Sequence, residues 1–118
     1  MNDSKVYVLI DQKQRDRLTG EMVSKFDFSS AERYGELIFL LASNASPRDP
    51  DANGELANGL AEITDDDYIL PVGSPVLILL AGAYAALADV TRLNILEWER
   101  DRDDRSTGRY LPTTVNVL

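Results

Sequence analysis

Residues 67–89 read Asp-Tyr-Ile-Leu-Pro-Val-Gly-Ser-Pro-Val-Leu-Ile-Leu-Leu-Ala-Gly-Ala-Tyr-Ala-Ala-Leu-Ala-Asp, and no other stretch constrains the fold as much. Tyr68–Val72 is apolar and strand-like, and Gly73 turns the chain. A helix then starts with Ser74 as N-cap and Pro75 as its first residue. A serine oxygen accepts an orphan amide at a helix start, and proline has no amide to orphan and a φ that is already helical. A strand, a tight turn and a helix in this order point to an α/β fold.

The run Val76–Ala88 contains no charged residue. It covers 13 residues, whereas a membrane-spanning helix needs about 20. A short helix that is apolar on all sides is expected in a core, covered from both sides. The three- and four-residue spacing of Leu77, Leu80, Tyr84 and Leu87 predicts that these four face a sheet.

The rest of the chain supplies the sheet. Val6–Ile10 is β-branched and aromatic, so it reads as a strand. Met22–Phe28 alternates and reads as a weak second strand, pairing with the first as a hairpin. Ser29–Tyr34 makes a helical turn that ends at Gly35. Glu36–Ser43 is continuously apolar, the pattern of a strand covered on both faces. Residues 52–63 place Leu56, Leu60 and Ile63 at helical spacing. Arg92–Trp98 is a further strand, and after the charged turn Asp101–Gly108 the segment Arg109–Leu118 returns as its antiparallel partner. The expected architecture is a single α/β domain over residues 1–118. It is a small three-layer fold with a mixed sheet around a βαβαβ unit and antiparallel hairpin strands at its edges, the crossovers being right-handed.

Composition excludes several chemistries. The 118 residues include no cysteine, which removes disulfides, zinc–thiolate sites and thiol nucleophiles. They include no histidine, which removes the usual general base and the commonest transition-metal ligand. The N-terminus, Met1-Asn2-Asp3-Ser4-Lys5, shows no signal peptide, so a cytoplasmic protein is expected. No Gly-x-Gly-x-x-Gly and no phosphate-loop motif is present, and no cofactor or metal is expected.

The net charge of −8 is unevenly spread. Residues 44–91 hold eight carboxylates and one basic residue, Arg48. Such a surface repels phosphates, so the footprint of a nucleic-acid binder is missing. It can serve solubility alone, or form an acidic face for a basic protein partner. The candidate partner-binding residues are Asp49, Asp51, Glu55, Glu62, Asp65 and Asp66. Pairing into a homodimer stays open.

Three places in the sequence could carry chemistry. Gly73 and Ser74 are the candidate ligand-binding residues, because a helix N-terminus at the carboxyl end of a parallel strand attracts anions. A plain capped helix start explains the same residues. Asp65-Asp66-Asp67 resembles a Mg²⁺ site in composition, but it precedes a strand, at the wrong end for ligands, and reads as a solvated loop. Arg100, Arg102, Arg105 and Arg109 with Trp98 and Tyr110 suggest a patch for phosphate or RNA, which the neighbouring acids cancel.

One resemblance covers most of the chain. It is carried by Asp65-Asp66-Asp67-Tyr68-Ile69-Leu70-Pro71-Val72-Gly73-Ser74-Pro75, by Arg92-Leu93-Asn94-Ile95-Leu96-Glu97-Trp98, by Arg109-Tyr110-Leu111-Pro112, and by Gly35-Glu36-Leu37-Ile38. These segments resemble a group of small proteins of bacteriophages, prophages and plasmids of proteobacteria, for which no activity is established. Ser74 stands where that group often has Asp or Asn, all good N-caps. The resemblance implies a mobile-element setting. The expected function is that of a non-enzymatic accessory protein acting through a protein partner. The alternative is a nucleotide or phosphate binder, or a weak enzyme, at Gly73–Pro75.

Overall fold

Val6 to Ile10 are five consecutive buried residues, and they form the centre of the molecule. The computed structural model describes residues 4–24, 26–104 and 107–117. Its elements are β1 (Lys5–Ile10), β2 (Lys13–Arg15), β3 (Met22–Ser24), a 3₁₀ helix (Ser29–Tyr34), β4 (Glu36–Leu41), α1 (Pro50–Gly59), β5 (Tyr68–Leu70), α2 (Pro75–Leu87), β6 (Arg92–Arg100) and β7 (Gly108–Asn116). Five strands make one sheet in the order β4-β1-β5-β6-β7. β1 runs parallel to β4 and β5, β5 parallel to β6, and β7 antiparallel to β6. This is the mixed sheet with an antiparallel hairpin edge that the sequence predicts.

The period of two in a strand sends alternate side chains to opposite faces. Tyr7 and Leu9 of β1 therefore join Leu56, Leu60, Leu77, Ala81 and Ala85 beneath α1 and α2. Val6 and Val8 join Leu70, Leu96, Phe28 and Ala31 on the other face, beneath the 3₁₀ helix. The Tyr34 hydroxyl donates to the Tyr110 carbonyl at 3.1 Å and ties that helix across to β7. Helices, sheet and 3₁₀ helix make the three layers.

Several expectations change. Among the described residues of Met22–Phe28, none pairs with β1. Only Met22–Ser24 is a strand, and it pairs antiparallel with Lys13–Arg15 in a separate two-stranded sheet. The reason is that β1 already has β4 and β5 on its two sides. β4 is an edge strand despite its continuous apolar run, and Phe39 is exposed there. On α2, Leu77 is buried and Leu80 and Tyr84 are half-buried against the core, but Leu87 is 78% exposed. The inward stripe runs through Ala81 and Ala85 instead, because alanine lets the helix sit close to the sheet. The side of α2 with Val76, Leu79 and Leu87 is open, so α2 is covered on one side only. Met1–Asp3, Lys25, Arg105, Ser106 and Leu118 lie outside the described residues. Among those described, no helix is long and apolar enough to cross a membrane.

Candidate functional site

The turn after β5 is built as the sequence predicts. Gly73 has φ +127°, a backbone region that L side chains avoid. A Cβ on Gly73 would lie 3.1 Å from Ile10 Cγ2 and 3.3 Å from Leu77 Cδ1. The space beside the glycine is thus filled by the protein's own core. Ser74 is extended, and its Oγ accepts the Leu77 amide at 3.3 Å. The Ile78 amide is taken by the Ser74 carbonyl at 3.1 Å, and Pro75 has no amide. Within the first turn, this leaves the Val76 amide for an anion.

Beside this turn is a cleft of 430 Å³ whose walls include Phe26, Gly73, Leu96, Glu97, Trp98 and Tyr110. Trp98 and Tyr110 meet edge to face, with centroids 5.0 Å apart. Burial pushes the Tyr110 phenol above its ordinary pKa, and the Asp27 carboxylate adds to the effect. The cleft can stack a flat apolar group. Its charged lining residue is Glu97, which opposes a phosphate.

A larger, polar cleft of 790 Å³ opens at the other end of the sheet, where β1, β5 and β6 begin. Asp66 and Asp67 line it, Asp65 precedes them in the same loop, and each of the three has a separate task. Asp67 is buried and accepts from the Lys5 amide at 2.9 Å, the Thr64 amide at 2.8 Å and the Thr64 hydroxyl at 3.1 Å. Asp65 accepts from the Thr91 hydroxyl at 2.6 Å and the Thr91 amide at 2.7 Å. These two bonds hold the Asp65 carboxyl below the usual carboxylate range, with smaller help from Arg92. Asp66 pairs with Arg92 at 3.3 Å. Buried Asn94 on β6 donates to the carbonyls of Asp65 and Asp67 at 2.7 and 2.9 Å and accepts from the Thr114 hydroxyl at 2.8 Å.

The triple aspartate is therefore a clasp joining the starts of three strands, not merely a solvated loop. Sequence reasoning missed its buried members, Asp67 and Asn94. The available signal was an asparagine inside an otherwise apolar strand, since a buried amide needs partners. Among the described residues, no group of three or more Asp or Glu is placed to hold a metal ion.

The six candidate acidic residues fall into two groups. Asp49 caps α1 by accepting the Asp51 amide at 2.9 Å, while Asp51 and Glu55 are exposed on α1. Glu62, Asp65 and Asp66 follow the far end of α1, which is about 15 Å long at 1.5 Å per residue. Asp65 and Asp66 are engaged with Thr91 and Arg92. Asp51 and Glu55 thus sit on the helical layer, where α1 packs along α2 and the Tyr84 hydroxyl donates to Asn53. The arginine patch is divided too. Trp98 pairs with Tyr110 and Glu99 with Arg109, so Arg109 is on the opposite face of the hairpin from the two aromatics. Arg105 lies outside the described residues.

The chain belongs to the family described as Phage Pam3 gp32-like protein, whose model matches residues 4–117. No curated protein and no solved structure matches it.

Proposed function

We propose that this chain is a non-enzymatic accessory protein of a phage or related mobile element of proteobacteria. It works in the cytoplasm by binding a protein partner through its acidic side. The observation that carries this reading is the helical layer. α1 presents Asp51 and Glu55 to solvent, and beside it α2 presents Val76, Leu79 and Leu87 with no charge in the helix. Contiguous exposed apolar surface rimmed by polar residues is characteristic of protein–protein contact. Phage family membership supports the setting.

The test is affinity capture from phage-producing cells with wild type and with the double variant Asp51→Lys, Glu55→Lys. A partner retained by wild type, lost by the variant, and released steeply as salt rises supports the reading. The salt dependence follows from screening over a Debye length of about 8 Å at physiological ionic strength. Salt-independent capture, equal for both proteins, refutes the acidic face.

The cleft beside Gly73 favours a second reading, a small ligand with a flat ring between Phe26 and Trp98. A thermal shift with AMP that free phosphate does not reproduce supports it. No shift at millimolar AMP retires it.

A further inference from the structure

The main sheet has two edge strands, β4 and β7, and β4 pairs with β1 alone. The Glu36 amide donates toward β1, to the Ser4 carbonyl at 3.3 Å. Peptide groups alternate in direction along a strand, so Leu37 and Phe39 aim their N–H and C=O groups away from β1. Among the described residues, nothing bonds to that outward side. Edge strands are ordinarily blunted by Lys, Pro, a bulge or a covering element. β7 carries Pro112, which has no amide to offer, and the charged Arg109. Leu37-Ile38-Phe39-Leu40-Leu41 of β4 has neither a charge nor a proline.

The two flanks of this open edge differ. Leu37 and Phe39 are on the side of the 3₁₀ helix, where Phe39 is 44% exposed and its ring is 5.8 Å from that of Phe28. A groove of 570 Å³ opens there, lined by Glu32, Arg33, Gly35, Glu36, Leu37 and Phe39. Ile38 and Leu40 are on the helical side. A Cβ on Gly59 would meet Leu40 Cδ2 at 2.5 Å, so the side of α1 that bears Gly59 rests on β4. Glu55 is one turn before Gly59 and Asp51 one turn before that, and residues four apart share a helix face. Asn53, on the opposite side of α1, accepts from the Tyr84 hydroxyl of α2. Asp51 and Glu55, both exposed, therefore overhang the β4 edge and not α2.

The charge around this edge has one sign in excess. Its arginines are Arg33, which lies over the Tyr34 ring at 5.5 Å, and Arg48, next to Asp49 in the loop before α1. Glu32, Glu36, Asp49, Asp51 and Glu55 outnumber them.

We propose that the β4 edge takes an extended segment of a partner protein as an added strand, with apolar side chains opposite Leu37 and Phe39 and basic ones that reach Asp51 and Glu55. This rests on the reading of the acidic side as a protein-docking surface and names the element that seats the partner. In strand addition the main-chain bonds supply affinity and alternate side chains supply selection. On the side of the 3₁₀ helix, an apolar residue covers Phe39. On the helical side, a Lys or Arg lays its stem across Ile38 and Leu40 and brings its charged head to Glu55. A second copy of this chain is the poorer occupant. Two β4 edges placed together bring their α1 helices side by side, with Glu55 near its own counterpart.

The experiment is amide hydrogen exchange, read residue by residue by NMR on the full chain. The probe is a blocked hexapeptide of alternating valine and lysine, the length of β4. The peptide is expected to slow exchange of the Leu37 and Phe39 amides at least about tenfold, whereas a peptide of alternating valine and glutamate leaves them unchanged. Phe39→Pro removes an outward donor at an edge, where proline is tolerated, and is expected to abolish binding. Phe39→Val keeps the donor and is expected to bind within about threefold of wild type. Asp51→Lys with Glu55→Lys is expected to weaken binding at least about tenfold.

No protection of either amide at millimolar peptide overturns the proposal, and this readout uses the wild type and so does not depend on any variant folding. Equal protection by the glutamate peptide overturns the basic partner. Protection that rises with protein concentration in the absence of peptide makes a second copy the occupant and overturns it as well. In capture from phage-producing cells, a protein lost by Asp51→Lys, Glu55→Lys but kept by Phe39→Pro leaves the acidic side standing and removes the edge as its seat. A protein kept by both removes the two readings together.

Discussion

Gly73→Ala separates architecture from ligand binding at the helix start. At φ +127° an alanine is strained by about 1–3 kcal/mol. Its Cβ would also press on Ile10 Cγ2 and Leu77 Cδ1 at 3.1 and 3.3 Å, and both residues are buried. Overpacking of that kind costs about 1–3 kcal/mol. Because a small backbone shift relieves both at once, the expected loss is about 2–4 kcal/mol. Urea unfolding followed by Trp98, the single tryptophan, reads it directly. With a slope of about 1–3 kcal/mol per molar urea, the midpoint falls by about 0.7–4 M. Ile10→Leu removes the β-branch that meets the new methyl, so the two substitutions should couple by about 0.5–3 kcal/mol in a double-mutant cycle. An unchanged midpoint with loss of phosphate or nucleotide binding would refute this reasoning. It would mean that a ligand, not the core, requires the glycine.

Leu77→Ala should cost about 2–5 kcal/mol, whereas Leu87→Ala should stay within about 0.5 kcal/mol, and equal midpoints for the two would contradict the orientation of α2. Ser74→Ala removes the bond to the Leu77 amide and should cost about 0.5–2 kcal/mol in the same assay. Asp65 titrates below its unfolded value of about 3.9, so its contribution is complete above that pH and is lost as pH falls through the lower folded value. Wild type should therefore lose stability below about pH 4 more steeply than Asp65→Asn, and parallel acid profiles for the two proteins would remove Asp65 from the clasp.

What was legible in the sequence depended on local chemistry. The cap at Ser74, the proline at the first helical position and the glycine turn act within a few residues, and all three stand as read. The pairing of β6 with β7 was legible because the two strands are neighbours in the chain joined by a charged turn. The partner of Met22–Ser24 was not, because it depends on β4 and β5 occupying both sides of β1, from 26 and 58 residues farther along than β1's end at Ile10. The clasp was hidden for the same reason. Asp67 binds Lys5, 62 positions away, and Asp65 binds Thr91, 26 positions away. Three adjacent aspartates look alike in sequence, and only the fold gives them different partners.

The helix α2 carries the remaining argument. An apolar helix without charge has two explanations, enclosure by the chain's own layers or contact with another molecule, and composition does not separate them. Among the described residues, the sheet with its 3₁₀ helix beyond leaves no layer outside α2, so none of them encloses its outer side chains. Leu79 is 75% exposed and Leu87 78%. Lys or Glu would serve helix formation almost as well as leucine at such positions. Full burial of a leucine is worth about 1.5–3 kcal/mol, and in the isolated chain most of that is unrealised at both residues. Leu79→Glu is therefore expected to leave stability within about 0.5 kcal/mol of wild type while abolishing capture of a protein partner. A large loss of stability would mean that Leu79 serves the fold. Unaltered partner capture by a stable Leu79→Glu protein would mean that the outer face of α2 is not a docking surface.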